Sequence, residues 1–227
     1  MTPRICVSIL PKTVEEAVKL VDQAEKAFAD LIEVRLDGIL KNEGLAELAK
    51  HGNVQKIATN RLSKFGGQFK GSENEQKKIL LNAANNGFEY VDIELSASNL
   101  REFTTEVSEN GAKPIISFHN FDRPLELSEL NDVLEKEIAC GADICKIVAT
   151  AKRIEDNLTL LNFTVAACKR VNVVCFAMGN CGKISRLLSP IFGGFFTFAA
   201  LESGGKTAPG QMTIQEMKAT YRLLGLK

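Results

Sequence analysis

Short apolar runs alternate with longer amphipathic segments along the whole chain of 227 residues. The short runs are rich in β-branched residues, which is typical of buried strands, whereas the segments between them repeat apolar residues at helical spacing. The segment "TVEEAVKLVDQAEKAF" is the clearest of these amphipathic helices. We predict strands over residues 4–9, 30–37, 55–60, 90–95, 113–119, 142–149, 172–178 and 194–199, each followed by a helix, with the first three helices near 13–28, 42–50 and 73–86.

The regular alternation of strand and helix predicts the fold class. Eight strand–helix units follow one another, and no Pro/Ser-rich linker or block of charge separates them. This pattern is typical of an α/β protein and predicts a single domain over residues 1–227, a (β/α)8 TIM barrel. An open doubly wound sheet is the alternative, because one sequence does not fix the number of strands.

Polar side chains gather near the carboxyl ends of several predicted strands. In "LIEVRLDG" Ile32, Val34 and Leu36 share one face and Glu33, Arg35 and Asp37 the other, because side chains alternate along a strand. Charges on a central strand are costly unless they line a wet site. The same parity selects Ser8, Thr59 with Arg61, Asp92 with Glu94, and Ser117 with His119. Each of these residues alone fits a structural ion pair, but together they predict an active site at this end of a barrel.

Composition and charge narrow the function further. The formal net charge is zero and no long basic run occurs, which argues against nucleic-acid or membrane-surface partners and favours a small-molecule substrate. The six cysteines form no C-x-x-C pair, so we interpret them as reduced core residues of a cytoplasmic protein. The apolar stretches are too short for a signal peptide or a membrane span. No residue spacing matches a metal site, and "SGGKT" lacks the first glycine of a P-loop.

Five motifs occur in a distinctive order along nearly the whole chain. They are "EVRLD" on the second strand, "SFHNF" on the fifth, "KIVATA" on the sixth, "MGNCGKISR" after the seventh and "TAPGQ" after the eighth. In this order and at these separations the motifs resemble type I 3-dehydroquinate dehydratases, the Schiff-base lyases of the shikimate pathway. The resemblance implies a cytoplasmic homodimer that dehydrates 3-dehydroquinate to 3-dehydroshikimate without a cofactor or a metal.

The resemblance also implies a role for each matching residue. Lys146 would form an imine with the ring ketone of the substrate, His119 would be the general acid/base, and Arg186 would bind the substrate carboxylate. The residues implied to bind or enclose the substrate are Ser8, Glu33, Arg35, Arg61, Met178, Thr207 and Gln211, the last two from a mobile loop. Asp92 and Glu94 would be supporting carboxylates behind the site. We expect apolar neighbours and nearby arginines to favour the neutral amine of Lys146, which is the nucleophilic form.

One position departs from the family pattern. In "RLSKFGG", Phe65 stands where many members have a glutamate that orients the catalytic histidine. We therefore expect a different partner to hold His119. Thr207 stands where serine is common, which keeps the hydroxyl.

Two alternative functions stay open at this point. Another lysine-imine barrel enzyme, such as a class I aldolase, would keep Lys146 but need not combine it with Arg186 and Gln211. A non-catalytic sugar-acid binding protein would keep the arginines and dispense with the imine.

Overall fold

Eight parallel strands form the centre of the computed structural model, which describes residues 2–40, 43–202, 205 and 207–226. The strands are β1 (Ile5–Ile9), β2 (Leu31–Arg35), β3 (Lys56–Thr59), β4 (Tyr90–Glu94), β5 (Lys113–His119), β6 (Ile144–Thr150), β7 (Asn172–Met178) and β8 (Thr197–Ala200). Strands β1 to β7 pair with one another in chain order, and β8 pairs with β1. Phe195, just before β8, donates its backbone N–H to Val173 of β7 at 2.7 Å. The sheet is thus nearly closed, and the predicted (β/α)8 barrel is confirmed.

A helix follows every strand and covers the outside of the barrel. The helices are α1 (Val14–Lys26), α2 (Leu45–Lys50), α3 (Glu73–Asn85), α4 (Leu100–Glu109), α5 (Leu127–Ala139), α6 (Asp156–Ala167), α7 (Lys183–Leu188) and α8 (Ile214–Leu223). The three helices predicted near 13–28, 42–50 and 73–86 correspond to α1, α2 and α3, although residue 42 lies outside the described residues. Ser72 caps α3 and forms a capping box with Glu75, which fixes where this helix begins.

Strand parity divides the apolar core into two layers. Side chains that point into the barrel form one cluster: Cys6, Leu31, Ile57, Tyr90, Ile115, Ile144, Val148, Val174, Phe176, Met178, Phe196 and Phe198. The alternate residues, such as Ile32 and Val34 of β2, pack against the helices instead. Cys145 and Ile147 of β6 also belong to the outer layer. Lys146, between them, therefore faces the barrel interior, as its parity predicts.

Two predictions from the sequence concern the cysteines and membrane spans. All six cysteines are free thiols, and Cys6, Cys145 and Cys175 are core residues as interpreted, whereas Cys140, Cys168 and Cys181 are only partly buried. Burial raises the pKa of the Cys175 thiol, so the uncharged form is favoured. Among the described residues, no helix has both the length and the apolar character needed to cross a membrane.

A buried carboxyl in the helix layer has no signal in the sequence. Glu137 lies on the inner face of α5 with the apolar residues Leu130, Val133 and Leu134, and it is 0% exposed. Neither of its carboxyl oxygens makes a well-aligned hydrogen bond in the described part of the chain, although the Cys145 thiol and the Lys146 backbone N–H lie close enough to favour the anion. Burial raises the pKa of Glu137 well above its ordinary value, so the neutral acid is favoured.

We expect Glu137→Met to increase the free energy of unfolding at pH 8 by about 1 to 3 kcal/mol, because it removes a buried carboxyl whose hydrogen bonding is incomplete and whose anion is poorly solvated. A raised pKa in the folded state means that the wild-type protein loses stability as the pH rises from the ordinary value through the raised one. The gain should therefore be larger at pH 8 than at pH 5. Urea unfolding of both proteins at the two pH values measures it.

The matched control for this prediction is Glu135→Gln on the same helix. Glu135 is exposed and pairs with Arg170 at 2.6 Å, so its replacement should change stability by about 0.5 kcal/mol or less. A Glu137→Met variant that is less stable than wild type at both pH values would contradict the interpretation.

Candidate active site

A cavity of about 240 Å³ opens at the carboxyl ends of the strands, where the sequence predicts the active site. Most of the predicted site residues line it: Glu33, Arg35, Arg61, His119, Lys146, Met178, Arg186, Thr207 and Gln211. Ser8, Asp92 and Glu94 do not line the cavity, but each contacts a residue that does. The structure thus brings residues from all eight strands or their following loops into one site.

Lys146 lies in a buried charge network. Its Nζ donates to Asp92 Oδ2 at 2.8 Å and lies 3.9 Å from Glu33 Oε1. Arg61 Nη2 donates to the other oxygen of Asp92 at 2.7 Å. Although burial alone would raise it, the pKa of Asp92 lies well below its ordinary range because Arg61 and Lys146 stabilise the anion. Asp92 therefore stays ionised between the two cations.

Lys146 has the apolar neighbours that the sequence predicts, and it also has an acidic partner. Ile144 and Val148 share its face, and its Nζ lies 4.4 Å from the centre of the Phe198 ring. The amine itself, however, is ion-paired with Asp92, because a buried lysine without an anion would carry a large desolvation cost. Strand parity indicates the face of a residue and not its partner, so the sequence did not reveal this pair.

Two hydroxyl groups hold Glu33, and a third connects it to the segment after β8. Ser8 Oγ donates to Glu33 Oε2, and Thr59 Oγ1 donates to Glu33 Oε1 at 2.8 Å. Thr207 Oγ1 in turn lies 3.1 Å from Ser8 Oγ, and the Thr207 backbone N–H donates to Gln211 Oε1 at 2.7 Å. The segment after β8 is thereby connected to Glu33. Thr59 was not among the predicted site residues, although its parity with Arg61 was a signal.

Asp37 is a further residue that the site prediction left out. Arg35 makes two hydrogen bonds to it, at 2.7 and 2.6 Å, in the parallel geometry that suits a guanidinium and a carboxylate. Asp37 also accepts from the backbone N–H groups of Arg61 at 3.2 Å and Gln68 at 2.8 Å. It therefore fixes both the Arg35 side chain and the chain that leaves β3.

His119 ends β5 beside two aromatic residues and one acid. Its Nδ1 lies 3.2 Å from Glu94 Oε1, and its ring stacks on Phe121 with 6.0 Å between ring centroids. Phe65 lines the same cavity and contributes no polar group, as its departure from the family pattern predicts. Burial, together with the charges of Arg61 and Lys146, lowers the pKa of His119 well below its ordinary value. The imidazole is therefore neutral at pH 7 and can accept a proton.

Ser117 connects Arg61 to Asp92 below His119. Its Oγ donates to Asp92 Oδ1 at 2.7 Å and accepts from Arg61 Nη1 at 3.1 Å. Arg61 Nη1 also contacts Glu94 Oε1, so one guanidinium serves both carboxylates of β4. The sequence pattern placed Ser117 on the polar face but did not include it in the site.

Arg186 is a buried cation without an anionic partner in the described residues. It is 1% exposed, and its Nε and Nη2 atoms have no hydrogen-bond partner in that part of the chain. Its guanidinium carbon lies 4.2 Å from the centre of the Phe176 ring. Burial lowers its pKa to about 9, which still leaves it charged at neutral pH. An unpaired guanidinium that lines a cavity is suited to bind a carboxylate.

The segment 207–211 packs against the end of β7. The Gly179 N–H donates to the Pro209 carbonyl at 3.3 Å, and a β-carbon at Gly210 would collide with the Gly179 carbonyl. Gly210 also has a φ of +77°, which glycine adopts without strain. Residues 203, 204 and 206 of the predicted mobile loop lie outside the described residues.

The cavity combines groups suited to organic rather than metal chemistry. It offers an amine, a neutral imidazole and a guanidinium without an anionic partner among the described residues, around a small volume that opens to solvent. In the described part of the chain, no group of three or more His, Cys, Asp or Glu side chains is arranged to hold a metal ion. The fold and the site together define a (β/α)8 barrel enzyme with a central lysine.

Comparison with known proteins identifies the family. The family model for type I 3-dehydroquinase matches residues 5–227. The 3-dehydroquinate dehydratase of Coxiella burnetii (strain RSA 493 / Nine Mile phase I) is 34% identical over 97% of this chain and 93% of the relative. That of Methanococcus maripaludis (strain C7) is also 34% identical, over 97% of this chain and 100% of the relative. The chain therefore belongs to the type I 3-dehydroquinase family, as its motifs predict.

Solved structures agree with this assignment. The 3-dehydroquinate dehydratase of Geobacillus kaustophilus HTA426 superposes with a TM-score of 0.90 at 25% identity, covering 98% of this chain and 91% of that one. The type I enzyme of Clostridium difficile, solved with covalently modified comenic acid, gives 0.88 at 28% identity over 98% and 92%. The barrel and its connections are thus those of the family.

We expect Arg186→Met to raise the free energy of unfolding of the ligand-free protein by about 1 to 3 kcal/mol, because it removes a buried charge and two unpaired donors. The variant should also lose at least about tenfold in affinity for carboxylate ligands of the cavity, since one charge-assisted hydrogen bond contributes roughly 1.5 to 3 kcal/mol. Urea unfolding and calorimetric binding measure the two effects. Arg153→Met, at a 78% exposed side chain, is the control and should change neither.

A variant at Arg186 that is destabilised as strongly as a typical core lesion, or that binds carboxylates as well as wild type, would contradict this role.

Proposed function

We propose that this chain removes water from 3-dehydroquinate to give 3-dehydroshikimate through an imine on Lys146. The family and the names of its relatives confirm the hydro-lyase function that the motifs predict. The observation that carries the proposed mechanism is one cavity lined by both Lys146 and the unpaired cation Arg186. A ring ketone and a carboxylate on the same small molecule match these two groups.

Imine formation increases the acidity of the proton on the carbon beside the ketone. The neutral Lys146 amine attacks the carbonyl carbon, and loss of water from the adduct leaves a protonated C=N bond, which is a better electron sink than C=O. The proton that the amine gives up before attack ends on the hydroxyl group of the adduct, which leaves as the water released. Asp92 does not hold this proton in between, since its pKa is held far below its ordinary value. The positive charge of the iminium then replaces that of the ammonium beside Asp92.

His119 carries the two proton transfers. Its lowered pKa keeps the imidazole neutral, so it can take the proton from the carbon beside the iminium. The same proton is then given to the departing hydroxyl group, which leaves as water. Hydrolysis of the imine consumes the water released when it formed, and it frees the product and Lys146. No external cofactor enters this balance.

Arg186 and the polar groups of the rim would orient the substrate. The planar guanidinium of Arg186 can make two parallel hydrogen bonds to a carboxylate. Glu33, Arg35 and Arg61 would bind hydroxyl groups and order the pocket, and Ser8 would support Glu33. Met178 would contribute apolar contact, and Thr207 and Gln211 would close the site from the segment after β8.

One measurement distinguishes this proposal from the two alternative functions. A class I aldolase would form an imine without producing an enone from 3-dehydroquinate, and a binding protein would do neither. The ultraviolet absorbance of the enone product therefore separates the three.

We also propose that the protein is a cytoplasmic homodimer and that residues 1–227 form a single catalytic domain. The six free cysteines suit a reducing compartment, and the motif resemblance carries the expectation of a dimer.

Borohydride added together with 3-dehydroquinate should reduce the iminium to a stable secondary amine on Lys146. Mass spectrometry of the digested protein should find the added mass on the peptide that contains "GADICKIVAT". Lys56, which is also buried but lies away from the cavity lining, is the internal control and should stay unmodified. An unmodified Lys146 in a preparation that produces the enone would contradict the imine mechanism.

His119→Ala should lower turnover by about 10² to 10⁴, the usual effect of losing a general acid/base. Adduct formation on Lys146 should remain detectable, because the amine and its Asp92 partner are unchanged. His51→Ala is the matched control, since His51 pairs with Asp22 at 2.7 Å outside the cavity. Near-normal turnover of His119→Ala would remove His119 from its role.

A further inference from the structure

The two ring nitrogens of His119 have different surroundings. Nδ1 is buried and lies 3.2 Å from Glu94 Oε1, while the ring lies against Phe121. This contact is within hydrogen-bond distance but is not aligned for a hydrogen bond in the free protein. Such misalignment is common in catalytic pairs before the substrate binds.

Glu94 is the one acidic side chain of the described residues within 4.0 Å of a ring nitrogen of His119. Ser117, on the same face of β5, is occupied by Asp92 and Arg61. The neighbouring part of the cavity wall is formed by Phe65, Gly66 and Phe121, which carry no carboxylate. An acid that orients the imidazole must therefore come from β4.

Charged groups on four strands or their following loops surround the imidazole. The cations are Arg61 after β3 and Lys146 on β6, and the anions are Glu33 on β2 and Asp92 and Glu94 on β4. Burial and the cations lower the pKa of His119, while the anions oppose them. Glu94 differs from the other two anions because it directly contacts a ring nitrogen.

We propose that Glu94 is the positioning residue of His119: it holds the imidazole proton on Nδ1 and thereby keeps the lone pair on Nε2 for the reaction. The inference rests on the proposed function, in which His119 is the base. Glu94 Oε1 contacts Arg61 Nη1 as well, so the carboxylate is itself fixed in place. The role that Phe65 cannot fill is thus supplied by a residue of a neighbouring strand.

The tautomer of His119 tests this assignment in the unaltered protein. The chain contains two histidines, so His51→Gln assigns both in long-range ¹H–¹⁵N correlation spectra. At pH 8 we expect the neutral ring of His119 with its proton on Nδ1. A proton on Nε2 of the free protein would overturn the proposal.

Substitution of Glu94 gives the kinetic test. Glu94→Gln keeps the size and an acceptor but removes the charge, so kcat should fall about tenfold to a hundredfold, less than when the acid/base itself is lost. KM should change little. The acid limb of the kcat profile should move to lower pH, because the imidazolium loses an adjacent anion.

Two further variants separate charge from scaffold effects. Glu94→Asp keeps the charge and should leave the acid limb at its wild-type position with a smaller loss of kcat. Glu109→Gln, at an exposed position on α4, should behave as wild type. A Glu94→Gln variant with full turnover, or with reduced kcat and an unmoved acid limb, would contradict the proposal.

Failure of this inference is distinguishable from failure of the proposed function. If wild type forms neither the Lys146 adduct nor the enone, the proposed function is wrong, and the tautomer still decides whether Glu94 holds the Nδ1 proton. If wild type does both, Glu94→Gln should retain the adduct and lose turnover. Should Glu94→Gln not fold, Glu94→Asp and the tautomer of wild type decide the question.

Discussion

The site depends on the mutual compensation of charges buried in the mouth of an apolar barrel. A buried charge without a partner costs several kcal/mol, so each one must be matched where it lies. Asp92 is matched by Lys146 and Arg61, and Arg35 by Asp37. The second contact of Arg61 is Glu94. The side chains of the site are therefore positioned by one another, and loss of any one would leave a neighbouring charge uncompensated.

Arg186 is the exception among the described residues, and its guanidinium is suited to a carboxylate ligand. The protein has already desolvated its guanidinium on folding, as the lowered pKa of about 9 indicates. An incoming carboxylate supplies the missing partner without a further desolvation cost on the protein side, which is how a preorganised site favours binding. Arg186 lies on α7, and this helix is fixed to β7 because the Ser185 hydroxyl accepts from the Ala177 N–H at 2.9 Å. The free energy of unfolding that the ligand-free protein loses by burying this guanidinium would thus appear as binding affinity for a carboxylate.

The architecture and the faces of most site residues could be predicted from the sequence, because strand periodicity and chain order are local properties. Strand ends were less certain: β8 begins at Thr197 rather than 194, since Phe195 is used to close the barrel against Val173. The partners within the site could not be predicted. Lys146 and Asp92 are 54 residues apart, and parity places both inside without stating a distance. Glu137 carried no signal, because an acidic residue on a helix is ordinarily exposed.

The two carboxylates of β4 lie where positive charge resides before and after the proposed proton transfer. In the iminium the charge is on the Lys146 nitrogen, whose amine lies 2.8 Å from Asp92. Removal of the proton from carbon neutralises that nitrogen and moves the charge to His119, whose Nδ1 lies 3.2 Å from Glu94. Arg61 contacts both acids. Because the anions are fixed in advance, the charge can move between them with little reorganisation, which is the main way a preorganised site lowers such a barrier.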